Sequence, residues 1–138
     1  MNRNAVSHVG IAVVDLDEAV LKYAGLLGSN KHVVTEVSDQ KVKVAMFAPD
    51  DSGATRIELL AATSPDSPIA KYLKKRGEGL HHICIYVDDI DSRLAELKSA
   101  GVRLIDETPR IGAEGNRIAF VHPSGANGVL IELEERPK

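Results

Sequence analysis

One stretch of the chain occurs twice, and this repeat constrains the fold more than any other feature. The segments that begin near His8 and His82 are both apolar runs followed by an Asp-x-Asp pattern, and corresponding residues lie 74 positions apart. At the same offset Glu58 corresponds to Glu132, each a polar residue inside an apolar run. The repeat therefore predicts two copies of one structural module.

Local patterns predict the same order of elements in each copy: one strand, one helix and three further strands. In the first copy we expect a strand over 6–14, a helix from Asp15 or Asp17 to Gly28, and strands over 31–37, 41–47 and 55–60. In the second we expect a strand over 80–87, a helix from Asp89 to Gly101, strands over 102–105, 117–122 and 129–134, and a polar loop over 108–116. The fold class is therefore α+β, with two tandem βαβββ modules.

The length of 138 residues predicts a single domain. Module one covers about 4–62 and module two 79–138. The connector, about 63–78, contains a short helix with Ser67 as cap and Pro68 at its first position.

Composition and charge exclude several classes of function. A net charge of −3 without a basic face argues against a nucleic-acid surface. No run reaches the length of a membrane span, and no apolar signal segment precedes the first strand. A single cysteine, Cys84, allows no disulfide within a chain. We therefore expect a cytoplasmic protein with no nucleic-acid or membrane partner.

The repeated polar residues predict a metal site. If the two modules pack on each other, His8, Glu58, His82 and Glu132 converge, and two imidazoles with two carboxylates suit a divalent first-row metal. A lone strand histidine is more often structural, and a lone glutamate more often solvated. Four such residues in one register favour the metal, although repeat symmetry alone could also preserve a structural pair.

The neighbouring residues are placed by strand alternation. His81 points away from His82, so only one of the two can face the site. The other two histidines have no partner in the repeat and are expected at the surface or in turns; they are His32 and His122. Glu134 shares a face with Glu132 and competes with it for the ligand role, whereas Cys84 is expected to be an inert core residue.

Five segments together resemble the vicinal oxygen chelate superfamily and, within it, the methylmalonyl-CoA epimerase family. They are 8–13, 66–70, 79–85, 117–123 and 128–133. The resemblance covers nearly the whole chain. It implies a curved, glyoxalase-like sheet with a metal-bearing cleft.

The resemblance also implies a ligand set and a reaction. His8, His82 and Glu132 would hold a divalent metal, with Glu58 at a position where some relatives have Gln. Cobalt is the first expectation, and nickel, manganese and zinc are the alternatives. The substrate would be a CoA thioester, epimerised by 1,1-proton transfer through a metal-chelated enolate, with Glu132 and Glu58 as catalytic residues. Relatives of this fold often form homodimers, so a homodimer is expected.

Two positions depart from the family pattern. Val44 stands where some relatives have a glutamate that transfers a proton, which makes Glu58 either a ligand or an acid/base. Tyr86 stands where a further glutamate is expected. Five basic residues are candidate contacts for coenzyme A or simply solvated: Lys71, Lys74, Lys75, Arg110 and Arg117.

Other functions fit the same set of residues. Glyoxalase I uses two histidines and two glutamates and also moves a proton. A drug-sequestering protein of the same fold would commonly lack the full ligand set. A ring-cleaving dioxygenase would use two histidines and one glutamate on iron, but usually in a longer chain.

Overall fold

The computed structural model describes residues 5–51 and 53–137. The contacts divide them into two units, one formed by residues 9–81 and the other by residues 5–8 with 82–137. The predicted module start at residue 4, the predicted end at residue 138 and the predicted absence of a signal segment all fall on residues outside those ranges.

Both predicted βαβββ modules are present. The elements, in chain order, are β1 (Val6–Ala12), α1 (Leu16–Leu27), β2 (His32–Val37), β3 (Val42–Phe47), β4 (Arg56–Ala62), α2 (Pro68–Arg76), β5 (Gly79–Val87), α3 (Ile90–Ser99), β6 (Arg110–Ile111), β7 (Arg117–Val121) and β8 (Ile131–Glu135). None of the helices in the described ranges is long and apolar enough to cross a membrane.

Each helix begins at a capping side chain that the sequence predicts. The carboxylate of Asp15 accepts a hydrogen bond from the amide of Glu18, and that of Asp89 accepts one from the amide of Ser92. The hydroxyl of Ser67 caps α2 in the same way. These bonds satisfy amides that the helices leave unpaired. They place the three helix starts where the sequence predicts them.

In the unit of residues 9–81 the strand order is β2-β3-β4-β1. Residues of β3 and β4 that pair across the antiparallel ladder share a face, and one face packs against α1 in an apolar core. This core contains Val13, Leu16, Ala19, Ala45, Phe47, Leu59 and Ala61. The alternation places Glu58 on the face away from α1, together with its cross-strand partner Met46.

In the other unit the strand order is β5-β8-β7-β6, with β8 parallel to β5 and antiparallel to β7. One face packs against α3 in an apolar core that contains Val87, Ile90, Leu94, Ala119, Val121 and Leu133. Cys84 pairs with Glu132 across β5 and β8, and both lie on the opposite face. Each unit therefore has one helix-covered apolar face and a second face that carries buried polar residues.

The predicted strand over 102–105 is wrong. Only Leu104 in this segment forms a bridge, with Val121. The carboxylate of Asp106 accepts a hydrogen bond from the backbone amide of Phe120. The backbone carbonyl of Phe120 accepts hydrogen bonds from the amides of Ile105 and Asp106. The Asp106 side chain thus replaces a backbone carbonyl as the acceptor for the Phe120 amide, and regular strand pairing cannot continue.

The segment 108–116 is more ordered than the predicted loop. β6 lies inside it and pairs antiparallel with the start of β7, Arg110 opposite Ile118. The amide of Gly112 donates to the carbonyl of Asn116 and closes the turn, in which Gly115 has φ +85°. Only glycine adopts this conformation readily. The segment is therefore a short hairpin.

We expect Leu59→Ala to reduce the free energy of unfolding by about 2–5 kcal/mol, because Leu59 is fully buried against α1 and its truncation leaves a cavity. Leu26→Ala is the matched control, since Leu26 is 77% exposed. Urea unfolding of both variants measures the difference. Equal losses would contradict the placement of the core.

Candidate metal centre

Two histidines and one glutamate meet in the unit of residues 5–8 and 82–137. The Nε2 atom of His8 lies 3.2 Å from Nε2 of His82 and 3.2 Å from Oε1 of Glu132. Nε2 of His82 lies 3.1 Å from the same Glu132 oxygen. All three residues are buried. Three of the four residues that the repeat singles out thus have their ligand atoms in one small triangle.

The sheet explains how these side chains meet. On β5, His82 and Cys84 share a face by alternation, and Cys84 is the register partner of Glu132 on β8. Phe120, the partner of Glu132 on β7, packs its ring edge-on against His82 with centroids 6.0 Å apart. The Phe120 ring therefore provides an apolar wall beside the three ligand atoms.

Burial and hydrogen bonding act in opposite directions on Glu132. Burial favours its protonated form, but the hydrogen bonds and positive charge of His8 and His82 outweigh burial and lower its pKa to about 2. The carboxylate therefore stays ionised throughout the neutral range and offers a negative ligand.

The triangle fits a divalent metal ion. Ligand distances of about 2.0–2.2 Å, usual for imidazole nitrogen and carboxylate oxygen, place neighbouring ligand atoms roughly 3 Å apart. The observed separations are 3.1 and 3.2 Å. Two imidazoles and a carboxylate suit cobalt, nickel, manganese, zinc or iron alike.

A second layer of polar residues lies behind His8. The hydroxyl of Ser7 is 3.1 Å from Nδ1 of His8 and donates to Oε1 of Glu134 at 2.6 Å. The amide of Asn116 donates to the other oxygen of Glu134, also at 2.6 Å. The sequence leaves Glu134 as an alternative to Glu132 for the ligand role. In the structure Glu134 lies on the Nδ1 side of His8, whereas Glu132 lies on the Nε2 side.

Sequence reasoning did not identify Ser7 or Asn116. Ser7 is adjacent to a predicted ligand, but its repeat counterpart is His81, so the register gives no signal. Asn116 is 18 residues from Glu134 and reaches it only through the hairpin that the sequence did not predict.

Cys84 is a core residue, and its thiol is expected to be unreactive, as the sequence predicts. It is fully buried, and burial together with the nearby carboxylates of Glu132 and Glu134 raises the pKa of its thiol far above the usual range. Its Sγ donates to Glu134 at 3.5 Å.

The fourth predicted site residue, Glu58, belongs to the unit of residues 9–81. It is buried on β4, on the face away from α1. Val44 lies on the same face of β3, two positions from the partner of Glu58. Tyr86 packs its ring under the guanidinium of Arg136, 4.8 Å from the ring centroid.

The remaining histidines lie in other settings. His81 packs edge-on against the ring of Tyr72, with centroids 4.7 Å apart. His122 caps a short 3₁₀ turn beside Ser124. His32 contacts the carbonyl of Asn30. His122 thus lies at a turn as predicted, whereas His32 begins β2 and packs half-buried against the ring of Phe47.

We expect the negative charge of Glu132 to stabilise the metal-free protein above its ordinary pKa of 4.5, with that stabilisation lost as the pH falls towards about 2. The measurement is urea unfolding of the wild type and Glu132→Gln between pH 7 and pH 2. The difference between the two should shrink on acidification. A difference that is constant over this range would contradict the lowered pKa.

Comparison with known proteins agrees with the fold and the sequence resemblance. Residues 7–120 match the family model of the glyoxalase/bleomycin resistance protein/dioxygenase superfamily. The ethylmalonyl-CoA/methylmalonyl-CoA epimerase of Cereibacter sphaeroides is 39% identical over 94% of this chain and 96% of its own. The human mitochondrial methylmalonyl-CoA epimerase is 38% identical over 97% of this chain and 75% of its own.

A solved structure agrees equally well. A Streptomyces coelicolor methylmalonyl-CoA epimerase variant in complex with 2-nitronate-propionyl-CoA has a TM-score of 0.90 at 36% identity, and the match covers 99% of this chain and all of that one. A probable lactoylglutathione lyase of Vibrio cholerae is more distant, at 28% identity. The predicted fold class is confirmed. The chain belongs to the glyoxalase/bleomycin resistance protein/dioxygenase superfamily and, within it, to the methylmalonyl-CoA epimerase family.

Proposed function

We propose that this protein is a divalent-metal-dependent epimerase that interconverts (2R)- and (2S)-methylmalonyl-CoA. The observation that carries the proposal is the triangle of His8, His82 and Glu132, whose ligand atoms lie 3.1–3.2 Å apart. Relatives that carry this activity in their names match nearly the whole chain. Lactoylglutathione lyase is the rival, and its named relative is the more distant.

In this proposal His8, His82 and Glu132 are the metal ligands, and Glu58 is either the fourth ligand or an acid/base. Cobalt is the first candidate, followed by nickel, manganese and zinc. A bound divalent ion supplies positive charge that stabilises the negative charge developing on the thioester and carboxylate oxygens of the substrate. The chain's contribution to this step is a fixed, buried set of ligands.

The proton transfer falls to carboxylates of the chain. One must accept the α-proton on one side of the substrate plane, and a group on the other side must return one. A carboxylate with a pKa of about 2 is a weak base, which favours a ligand role for Glu132. Glu58 is then the stronger candidate for proton transfer, and Glu132 the weaker.

Val44 sharpens this assignment. A valine cannot exchange protons, so the glutamate that some relatives have at this position has no counterpart in β3. The second proton-transfer group must come from another residue. Whether the protein uses one proton-transfer group or two therefore depends on the role of Glu58.

The substrate's coenzyme A moiety carries phosphates, and the candidate cations differ in how they are engaged. Arg117 forms a bidentate pair with Asp91, both bonds 2.8 Å long, and Arg110 lies 3.6 Å from Asp106. The exposed lysines of α2 are the better candidates; they are Lys71, Lys74 and Lys75. A single domain, a homodimer and a cytoplasmic location are further parts of the proposal.

We expect the cobalt-loaded protein to exchange the α-proton of methylmalonyl-CoA for deuterium in heavy water, and a chelator to stop the exchange. Proton NMR of the α-signal measures it. Glu132→Ala should abolish exchange, whereas Glu135→Gln on the same strand should retain it. Exchange that is absent with every metal would contradict the proposal, and the hemithioacetal of methylglyoxal and glutathione would then test the lyase.

We expect Glu58→Gln to reduce epimerisation by about 10²-fold or more, since it removes a group that transfers protons. A role as ligand alone predicts a modest loss, because a Gln oxygen can still bind the metal. Exchange and epimerisation are measured on the same variant. Exchange without epimerisation would indicate that Glu58 serves one side of the plane, and full activity would contradict its catalytic role.

A further inference from the structure

The hydroxyl of Ser7 lies between a metal-ligand candidate and a buried carboxylate. It is 3.1 Å from Nδ1 of His8 and 2.6 Å from Oε1 of Glu134. Ser7 is 1% exposed and Glu134 is 2% exposed. Buried polar groups that are placed this closely are costly unless each bond has both a donor and an acceptor.

Counting protons fixes the direction of each bond. A serine hydroxyl has one proton, and the carboxylate of Glu134 accepts it. The Ser7 oxygen can then only accept from His8, so Nδ1 of His8 must carry a proton. With Nδ1 protonated, Nε2 is the nitrogen that can bind a metal ion, on the side where His82 and Glu132 lie; in the metal-free protein it donates to Glu132 instead, and it gives up that proton when a metal binds.

We propose that Ser7 and Glu134 are positioning residues that hold His8 in the Nδ1–H form and so direct its Nε2 atom at the metal. Metal-bound histidines commonly donate their second nitrogen to a carboxylate, which orients the ring and makes it a stronger ligand. Here the serine hydroxyl relays that bond. The inference rests on the proposed metal role of His8 and is independent of the substrate.

Two further residues hold the carboxylate of Glu134. Asn116 donates to Oε2 at 2.6 Å and Cys84 donates to Oε1 at 3.5 Å. Ligand atoms of His8, Cys84 and Glu134 also lie within 4.8 Å of one another, a spacing that could hold an ion. The Cys84 thiol and the Ser7 hydroxyl both donate to Oε1 of Glu134, so hydrogen bonds hold these residues together.

The test is NMR of the zinc-loaded protein with ¹⁵N-labelled histidine, zinc being diamagnetic. We expect His8 to bind through Nε2 and to keep a slowly exchanging proton on Nδ1. Ser7→Ala should make that proton exchange rapidly and should weaken zinc affinity by about 10–100-fold, the usual effect of losing such a partner. Competition with a chelating dye measures the affinity.

Ser124→Ala is the matched control, because it removes a serine hydroxyl 2.9 Å from Nδ1 of a different histidine, His122. It should leave zinc affinity and the His8 signal unchanged. A proton on Nε2 of His8 in the wild type would overturn the inference, as would unchanged affinity in Ser7→Ala or an equal loss in both variants. If Ser7→Ala does not fold, the wild-type spectrum alone decides.

The proposed function fails in a different way. If the wild type binds no zinc, both the metal site and this inference are overturned. If it binds zinc through His8 and leaves methylmalonyl-CoA unchanged, only the proposed substrate is wrong and the inference stands.

Discussion

The structure depends on how a buried carboxylate is compensated. Glu132 is only 7% exposed, and burial alone would neutralise it. The two imidazoles of His8 and His82 reverse that effect, so the charge remains and becomes available as a ligand. Removing either imidazole would leave the buried charge with one partner instead of two, and an under-compensated buried charge is costly. The centre is therefore cooperative, since the cost of burying each of the three side chains is offset by the other two.

The need to compensate a buried carboxylate also explains why the strands of each unit form two different faces. The helix-covered face needs only apolar volume, which α1 and α3 supply. The opposite face carries Glu58 in one unit and Glu132 in the other, and the repeat keeps them in register. Every second strand residue thus packs in the core and the alternate ones form the face with buried polar residues, so one module can supply both the core and the proposed ligands.

Periodic and local features of the fold could be predicted from the sequence, and features that depend on one side chain contacting a residue far along the chain could not. Caps such as Asp15 and Asp89 follow from local chemistry, and the repeat predicted that His8, His82 and Glu132 lie together. The 102–105 strand failed because the carboxylate of Asp106 replaces a backbone partner, which no apolar pattern reveals. Ser7 and Asn116 were missed because their partners are distant in sequence.

The low pKa of Glu132 separates two roles that a symmetric repeat would leave equal. A good anionic ligand is a poor base, so the residue most strongly held by His8 and His82 is the least suited to remove a proton. Glu58 occupies the equivalent position on the other module. Val44, on β3, cannot transfer a proton. In the proposed mechanism Glu132 is held by imidazoles and Glu58 transfers a proton, so the two copies of the module would divide binding from chemistry between their glutamates.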